Sequence, residues 1–553
     1  MALTLPEAVL DDGPTGGIVD EQQLCAIAWA LAGAGHLKDV SRAEQRLIAR
    51  TSQSPAQAVI EQVASAIRQG EDPLGTAFAS LRPAAQRRKL GATYTPASLI
   101  GPMSEWLANH KRASRVVDPG AGSARFLVAA GRLLPEARLV AVEIDPLASL
   151  AARANLTVLG FDERSEMHTA DYRTLALEPG PGPTAFIGNP PYVRHHDIAP
   201  EWKAWLRERS AELGLKASAL AGLHVHFLLA TAHHARAGDY GVFVTSSEWL
   251  DVGYGQLARD LMAGPLGGLS IHVLDARSQA FADAATTAAV TAFEVGDSQR
   301  GVRVRKIKRM EDLRCLQGGR RFSRERLRTA RRWSSLLEPK VSVPREFVPL
   351  GEFCRVHRGA VTGANSTWVT QQDDPRLPTS VLFPAVTRAS ELINLGSDAL
   401  RDDGHLRAVI DLPEDLDVLD ADGRELVKQF LSSARQAGAA SGYIARHRKP
   451  WWSVKLRDPA PILATYMARR PPTFVRNLIA ARNINAVHGI YPIDFLSDEA
   501  LSRLTKSLGE RATVAGGRTY AGGLTKFEPS EMEQIMVPPP NWLESSEALA
   551  SLA

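Results

Sequence analysis

Cysteine is scarce in this sequence, with three residues scattered over 553 positions: Cys25, Cys315 and Cys354. Such a set offers neither a disulfide framework nor the paired ligands of a zinc site. No window approaches the run of about 18 uncharged apolar residues that a membrane-spanning helix needs, so no membrane partner is expected. The first residues lack a basic region followed by a long apolar stretch. We therefore expect no secretory signal and a cytoplasmic location.

Net charge is also low, at +4, and so the chain as a whole does not indicate a polyanionic partner. The charge is unevenly distributed. Between Arg303 and Arg332 there are thirteen Lys and Arg residues against three acids. This run is either a solvated basic helix face or a phosphate-facing segment of a nucleic-acid binder. We expect residues 299–344 to form a basic linker.

A chain of this length predicts about two to four domains. Residues 1–88 are expected to be an N-terminal helical segment, because apolar residues recur every three or four positions through 24–32 and 58–67. We find no chemistry in this segment and expect an accessory helical layer. Residues 345–553 are irregular and rich in proline, glycine and tryptophan, and predict a separate mixed α/β domain.

Residues 89–298 alternate short apolar strands with helical stretches. This pattern predicts an α/β fold with a Rossmann-like, mainly parallel sheet covered on both faces. Asp118, Glu143, Asp171 and Asn189 each fall where a predicted strand ends. Ligands bind at the carboxyl ends of such strands. The four side chains should therefore meet at one edge of the sheet.

The turn D-P-G-A-G-S at 118–123 follows a strand and opens a helix. Gly120 and Gly122 would let the backbone approach a ligand closely, but the turn is not G-x-G-x-x-G and no Lys-Ser/Thr pair follows. Asp118 would repel a pyrophosphate and suits a cofactor with cationic groups. Glu143 is positioned to accept hydrogen bonds from ribose hydroxyls, and Asp171 could accept one from an adenine amino group. Adenosine plus an ammonium and a sulfonium indicates S-adenosylmethionine.

A second unusual stretch, A-F-I-G-N-P-P-Y-V-R-H-H at 185–196, turns from an apolar strand into an amide, two prolines and a tyrosine. Adjacent prolines lack N–H groups and continue neither a sheet nor a helix. This segment is therefore a stiff loop at the end of a strand.

The order of the motifs resembles that of the class I N6-adenine DNA methyltransferases. It is most similar to their gamma group, in which a target-recognition domain comes last and which commonly accompanies type II restriction systems. The resemblance covers about 88–295 well and continues loosely to the C-terminus. The motifs are G-A-T-Y-T-P (91–96), D-P-G-A-G (118–122), V-E-I-D-P (142–146), A-D-Y (170–172) and N-P-P-Y (189–192).

The resemblance implies a role for each residue of N-P-P-Y. The side-chain oxygen of Asn189 and the carbonyl of Pro190 would accept from an exocyclic adenine amine and free its lone pair. Pro190 and Pro191 would hold these acceptors rigidly. Tyr192 would stack on an adenine flipped out of the duplex. Phe281 would cover the other face of that base, or it packs in the core.

Two further residues are implied as cofactor contacts, Tyr94 and Thr95, which would touch the methionine part of S-adenosylmethionine. Thr95 is also compatible with a helix N-cap. His195, His196 and the pair at 233–234 have no carboxylate or cysteine at ligand spacing. We interpret them as surface or phosphate-adjacent residues and expect no metal.

The expected function is site-specific methylation of adenine N6 in double-stranded DNA. Methylation of a protein glutamine is an alternative, because release-factor methyltransferases also use N-P-P-Y; RNA adenine and non-catalytic binding are others. Residues 345–553 favour DNA as a target-recognition domain, since R-H-R-K-P-W-W (446–452) interleaves basic residues with tryptophans. Trp451 and Trp452 are equally compatible with core packing. No Asp…Glu-x-Lys nuclease pattern is evident, which predicts a stand-alone enzyme with a separately encoded restriction endonuclease.

Overall fold

The computed structural model describes residues 17–33, 35–37, 39–51, 54–82, 94–275, 287–296, 300–314, 316–337, 343–519 and 524–545. The chain forms two compact units, Met1–Glu338 and Pro339–Ala553. The described helices and strands agree with a mixed α/β class in both units.

The helices of the first unit are α1 (Glu21–Ala32), α2 (Arg42–Ile48), α3 (Gln57–Arg68), α4 (Pro73–Leu81), α5 (Ala97–His110), α6 (Arg125–Leu133), α7 (Pro146–Val158), α8 (Pro200–Glu212), α9 (Leu223–His234), α10 (Gln256–Ala263) and α11 (Arg324–Thr329). Side-chain caps begin several of them. Asp145 accepts from the backbone N–H groups of Leu147 and Ala148, and Pro146 occupies the first turn of α7. These are the residue types that helix starts prefer.

The strands of the first unit are β1 (Arg115–Asp118), β2 (Arg138–Glu143), β3 (Ser165–Thr169), β4 (Thr184–Gly188), β5 (Tyr240–Ser246), β6 (Gly268–Leu274), β7 (Ala288–Glu294), β8 (Val302–Ile307) and β9 (Arg320–Phe322). Within the described residues they form one nine-stranded sheet in the order β3-β2-β1-β4-β5-β7-β6-β8-β9. The first five are parallel, whereas β7 runs antiparallel to both of its neighbours.

The sheet is Rossmann-like and mainly parallel, as predicted. The central strands are buried because helices cover both faces of the sheet; all five residues of β4 and all seven of β5 are buried, for example. Val117 of β1 belongs to one apolar cluster and Val116 to another. The strand order reverses between β1 and β4, and this is where α/β sheets bind ligands.

The basic segment differs from the expected linker, because β8 and β9 complete the edge of the nine-stranded sheet. In β8 the buried residues Val302, Val304 and Ile307 are interleaved with the basic ones. Val302 and Val304 follow the period of two of a strand with one buried face, and Ile307 at the end of β8 departs from it by one position. The high charge of the run conceals the strand pattern in the sequence. Because β8 and β9 pair with the sheet, most of residues 299–344 belong to the first unit.

The N-terminal helices form a layer on α7. Leu24, Ile27 and Leu31 of α1 pack in one cluster with Leu147 and Leu150 of α7. Leu24 and Ile27 are both nearly fully buried, as the apolar character of α1 all round its surface predicts.

A buried ion pair joins the same layers. Arg153 Nε lies 2.8 Å from Glu44 Oε1, and Glu44 has no exposed surface. Each of the two buried charges is therefore neutralised by the other in a place that water does not reach.

The second unit has the helices α12 (Asn365–Trp368), α13 (Ala389–Ile393), α14 (Ala421–Gln436), α15 (Tyr443–Arg446), α16 (Asp498–Arg511), α17 (Pro529–Met532) and α18 (Pro540–Glu544). Its strands are β10 (Val348–Pro349), β11 (Cys354–Arg358), β12 (Val369–Thr370), β13 (Leu382–Val386), β14 (Ala399–Leu400), β15 (Arg407–Ile410), β16 (Ile462–Thr465), β17 (Met467–Ala468), β18 (Phe474–Asn477), β19 (Arg482–Asn483), β20 (Val487–Pro492), β21 (Arg518–Thr519), β22 (Thr525–Lys526) and β23 (Met536–Val537).

In the described part of the second unit, the larger sheets have the orders β11-β20-β16-β18-β14 and β12-β15-β13-β19. Trp451 and Trp452 pack against the cluster around the second of these sheets. The indole N–H of Trp452 donates to the Pro413 carbonyl at 3.1 Å, and the ring of Trp451 lies 6.0 Å from that of Trp368. Of the two interpretations of these tryptophans, the structure favours core packing.

Candidate active site

A pocket lies at the carboxyl ends of β1, β2 and β4, where the strand order reverses. It has about 1060 Å³ of empty space, part of it open to solvent. Its walls come from the turn at 118–123 (the Gly turn), the loop at 189–192 (the N-P-P-Y loop), the ends of β2 and β3, and helices α4, α7 and α9. The lining residues are Gly75, Phe78, Ala79, Tyr94, Pro119, Gly120, Gly122, Ser123, Glu143, Ile144, Asp145, Ala148, Ala151, Ala170, Asp171, Tyr172, Arg173, Asn189, Pro191, Leu223 and Phe227.

The N-P-P-Y loop leaves β4 at Gly188 and places Asn189 and Pro191 in the pocket wall. Asn189 Nδ2 donates to Thr95 Oγ1 at 3.0 Å. Because this hydrogen bond uses the amide nitrogen of Asn189, it fixes the direction in which the side-chain oxygen Oδ1 points. Thr95, which the resemblance assigns to the cofactor, is buried next to Asn189 and does not line the pocket.

The ring of Tyr192 lies just beyond the pocket lining and is half-buried. Its hydroxyl donates to the Val244 carbonyl at 3.4 Å, and its ring centroid is 6.3 Å from that of His224. Burial raises the pKa of the Tyr192 phenol, which is therefore neutral at ordinary pH. Burial also lowers the pKa of His224 to about 4. The tyrosine thus faces an uncharged imidazole.

The Gly turn is tied to the end of β2 through Glu143. Glu143 Oε2 accepts from the Gly122 N–H at 2.9 Å, and Oε1 accepts from the Asp145 N–H at 3.0 Å. Gly122 has a φ of +54°, a conformation that favours glycine. Burial raises the pKa of Glu143, although these backbone N–H groups oppose the shift. The carboxylate lines the pocket beside Gly120 and Gly122.

Asp118 is fully buried and lies behind the Gly turn, outside the residues that line the pocket. Its Oδ1 accepts from the Gly120 N–H at 3.4 Å, and its Oδ2 has no hydrogen-bond partner among the described residues. A Cβ on Gly188 would lie 2.6 Å from Oδ1. Burial raises the pKa of Asp118 to about 8, with a smaller contribution from Glu143. The group is therefore largely protonated at neutral pH.

Asp171 lines the pocket after β3, together with Arg173. The carboxylate of Asp171 is held by the Arg173 guanidinium, with Nη2 to Oδ2 at 2.6 Å and Nε to Oδ1 at 2.9 Å. The guanidinium in turn lies 3.5 Å from the centre of the Trp202 ring. Sequence reasoning missed Arg173, although its position two residues after an acid at a strand end was a usable signal.

Tyr94 also lines the pocket, and its hydroxyl donates to Asp72 Oδ2 at 2.8 Å. The guanidinium of Arg125 lies 4.3 Å from the centre of the Tyr94 ring. Burial, followed by the charge of Asp72, raises the pKa of the phenol. The Tyr94 ring therefore lies between the Arg125 guanidinium and the pocket.

The N-terminal helices are more than an accessory layer, which corrects the expectation from the sequence. Gly75, Phe78 and Ala79 of α4 form part of the pocket wall. No local signal marks them, since they are ordinary small and apolar residues of an amphipathic helix. Only the packing of α4 on α7 and the Gly turn brings them to the site.

The residues present fit S-adenosylmethionine. Glu143 and Asp171 supply acceptors, whereas Ile144 lines the pocket with 55% of its surface exposed and can pack against a flat apolar ring. No group of three or more His, Cys, Asp or Glu side chains suited to a metal occurs among the described residues. Phe281, the second candidate for base stacking, lies outside the described residues.

Comparison with known families identifies two matches along the chain. Residues 72–244 match the family described as N-6 DNA Methylase. Residues 335–552 match the C-terminal domain of the type II methyltransferase M.Eco57I.

Two curated relatives match over most of their length. The chain is 47% identical to the type II methyltransferase M.XamI of Xanthomonas campestris pv. amaranthicola, over 94% of this chain and 98% of that one. It is 23% identical to the type II methyltransferase M.AccI of Acinetobacter calcoaceticus, over 82% and 86%.

Among solved structures, the type IIL restriction-modification enzyme MmeI in complex with DNA is similar with a TM-score of 0.58 at 15% identity, covering 93% of this chain and 79% of that one. The DrdV–DNA complex is similar with a TM-score of 0.52 at 12% identity, covering 86% and 58%. At these identities the likeness concerns the fold. No helix in the described ranges has the length and hydropathy to cross a membrane.

Proposed function

Because the chain belongs to the type II N6-adenine DNA methyltransferases, we propose that it transfers a methyl group from S-adenosylmethionine to adenine N6 in double-stranded DNA. The observation that carries this proposal is the rigid N-P-P-Y loop at the wall of a pocket that also contains the Gly turn and the carboxylates of Glu143 and Asp171. The methyl donor supplies an electrophilic methyl group on a sulfonium.

The cofactor would be held by residues from both sides of the Gly turn. Glu143 presents its carboxylate to the pocket from the end of β2, next to Gly120 and Gly122. It would accept from the ribose hydroxyls, for which carboxylates at this position are suited. Asp171 is fixed by Arg173 and would accept from the adenine amino group with its remaining lone pairs.

Asp118 would act from behind the turn. Since its carboxyl group is buried and its pKa is raised to about 8, it does not attract the cofactor as an anion in the unliganded protein. It accepts from the Gly120 N–H and so supports the turn that the cofactor would contact.

Catalysis would depend on the orientation of Asn189. The amine of adenine is a weak nucleophile because its lone pair is delocalised into the ring. Two acceptors, Asn189 Oδ1 and the Pro190 carbonyl, would bind its two N–H groups and draw the nitrogen out of conjugation. The bond from Asn189 Nδ2 to Thr95 preorganises the first acceptor, and the prolines restrict the second. No strong base is needed, because the proton is lost after the transfer.

Tyr192 would stack on the target base once the base has left the duplex. Its hydroxyl is anchored to β5 at Val244, and its ring is restrained by His224. Stacking on a fixed aromatic ring offsets part of the few kcal/mol, roughly, that unstacking costs. Phe281 remains a proposal for the opposite face.

The second unit would read the DNA sequence. This part of the proposal is supported by the match to the M.Eco57I C-terminal domain and by exposed basic residues, among them Arg446 and Lys449. Such side chains contact phosphates and fix the register of a protein on a duplex. Tyr443, with 69% of its surface exposed, lies on the same helix as Arg446 and offers a ring for packing.

A restriction endonuclease encoded separately would cleave the same recognition sequence. M.XamI is a type II methyltransferase by name, and 98% of its length aligns with this chain. The present chain would then protect host DNA against that endonuclease.

The test is methyl transfer with purified protein, S-adenosylmethionine carrying a labelled methyl group, and mixed-sequence double-stranded DNA. Digestion to nucleosides followed by mass spectrometry should give labelled N6-methyl-2′-deoxyadenosine. Asn189→Ala should abolish the label. Asn109→Ala, an exposed position outside the pocket, should retain it. Label in protein glutamine or in RNA, with none in DNA, would replace the proposal by its alternatives.

A further inference from the structure

A buried carboxylate from the N-terminal segment reaches the cofactor side of the pocket. Asp72 has no exposed surface and precedes α4 as its N-cap. In the described part of the chain, its two oxygens accept from four donors on separate segments. The donors are the Gly75 N–H at 2.9 Å, Asn155 Nδ2 at 3.0 Å, Tyr94 Oη at 2.8 Å and Ser123 Oγ at 2.6 Å.

Oδ1 connects Asp72 to helices. The Gly75 N–H belongs to the first turn of α4, which is an ordinary capping bond. Asn155 lies on α7, and its Nδ2 donates both to Asp72 Oδ1 and to the Ser123 carbonyl at 2.9 Å. The side of Asp72 that caps α4 is therefore also linked to the backbone of the Gly turn.

Oδ2 connects Asp72 to the pocket. Its two donors, Tyr94 and Ser123, both line the pocket but are 29 residues apart in the sequence. A hydroxyl that donates to a fixed carboxylate loses its rotational freedom. The Tyr94 ring and the Gly turn thus take their relative position from one group that does not itself line the pocket.

The approach of α4 to the Gly turn is close enough to require glycine. A Cβ on Gly75 would lie 2.1 Å from Asp72 Oδ2 and 2.6 Å from Ser123 Oγ. This contact brings Gly75, Phe78 and Ala79 into the pocket wall.

We propose that Asp72 is a positioning residue of the cofactor site, and that through it the N-terminal helices are needed for S-adenosylmethionine binding. Asp72 sets Tyr94 and Ser123 against the cofactor and seats α4 as one wall of the pocket. This inference rests on the proposed function, because it takes the pocket to be the site of S-adenosylmethionine.

Asp72→Asn is a suitable perturbation because it preserves the shape of the side chain. The Gly75 N–H and Asn155 Nδ2 can only donate and therefore hold the amide oxygen, so the amide N–H groups face the hydroxyls of Tyr94 and Ser123. Both hydroxyls must then turn their protons away and accept, and both lose the charge-assisted bond to a carboxylate. We expect the equilibrium dissociation constant for S-adenosylhomocysteine, measured by titration calorimetry on the full chain, to rise by about tenfold or more.

A matched control is Asp239→Asn, which makes the same change at another buried carboxylate of the first unit. Asp239 accepts from the Thr184 N–H at 2.7 Å and from the Arg236 N–H at 2.8 Å, at the amino ends of β4 and β5. It does not line the pocket. We expect it to lower the melting temperature while leaving the dissociation constant within about twofold of the wild-type value.

Steady-state kinetics add a second readout. Asp72→Asn should raise the KM for S-adenosylmethionine by about the same factor as the dissociation constant and leave the KM for DNA within about twofold. Ser123→Ala and Tyr94→Phe each remove one donor and should each weaken binding. Either change should have a smaller effect when combined with Asp72→Asn than in the wild-type chain. If Asp72→Asn does not fold, the two donor variants still decide the outcome.

Several results would overturn the inference. Unchanged binding by Asp72→Asn would do so, as would a loss of affinity in Asp239→Asn that scales with its loss of melting temperature. Normal binding by both donor variants would have the same consequence. In all three the wild-type chain binds S-adenosylhomocysteine, so the proposed function stands. A wild-type chain that binds none would instead remove the proposed function, and this inference with it.

Discussion

Replacing Thr95 by valine tests whether this residue orients Asn189 or contacts the cofactor. Thr95 Oγ1 accepts from Asn189 Nδ2 at 3.0 Å, and only 7% of the threonine surface is exposed. Valine keeps the volume and removes the acceptor. Water has little access to restore the bond, and an unsatisfied buried donor costs about 1–3 kcal/mol.

If the lost hydrogen bond raises the activation free energy by this amount, because Asn189 is no longer held in orientation, the rate of methyl transfer falls by roughly 5- to 150-fold. This follows because about 1.4 kcal/mol corresponds to a factor of ten in rate. The assay is single-turnover transfer of a labelled methyl group to DNA with saturating S-adenosylmethionine. Binding of S-adenosylhomocysteine should remain within about twofold, because Thr95 does not line the pocket. Thr95→Ser keeps the hydroxyl and should restore most of the rate.

The matched control is Thr291→Val, which removes another buried hydroxyl. Thr291 Oγ1 donates to the Phe243 carbonyl at 3.2 Å within the sheet and away from the pocket lining. It should cost stability without a specific loss of rate. A Thr95→Val enzyme with an unchanged rate constant but much weaker cofactor binding would refute the reasoning and support the direct cofactor contact that the family resemblance implies.

Three further perturbations follow from the same site. Gly75→Ala would place a Cβ 2.1 Å from Asp72 Oδ2 and should lower the free energy of unfolding by about 1–3 kcal/mol in urea titrations; wild-type stability would contradict the close packing. Burial raises the pKa of Asp118 to about 8 in the folded protein, whereas the pKa of an aspartate in the unfolded chain is about 4. Protonation of Asp118 therefore stabilises the unliganded protein fully below about pH 4. This contribution to the free energy of unfolding is lost as the pH rises from about 4 to about 8. Asp118→Asn should flatten the decline in unfolding free energy over this window, at most ~1.4 kcal/mol per pH unit, and parallel pH profiles for variant and wild type would argue against it. Arg173→Gln removes the guanidinium that binds Asp171 at 2.6 Å and should lower the unfolding free energy by about 1–3 kcal/mol, whereas equal urea midpoints would show that the pair contributes nothing.

The sheet and the strand-end residues could be predicted because their signals are local. The strands around Val117, Val140 and Phe186 are short apolar runs buried on both faces, and the polar residue that follows each run lies at the carboxyl edge. The Gly turn and the N-P-P-Y loop are equally local. For these reasons the fold class and the family could be predicted from the sequence.

Contacts between distant segments could not be predicted. Asp72 precedes the Gly turn by almost fifty positions and has no distinctive neighbours in the sequence, so its link to Ser123 emerges only from the packing of α4. Thr95 shows the same limit, because its partner Asn189 is 94 residues away. In the basic segment the high charge hid the strand pattern of β8, whose buried residues are Val302, Val304 and Ile307.

The most direct test of the account is single-molecule sequencing of DNA from cells that express the chain, with Asn189→Ala as the control. We expect N6-methyladenine at one recognition sequence in cells with the wild-type chain and loss of that mark with the variant. The absence of any adenine mark from cells in which the wild-type protein is folded and binds S-adenosylmethionine would contradict it. A mark that persists undiminished in Asn189→Ala would contradict the role of the N-P-P-Y loop.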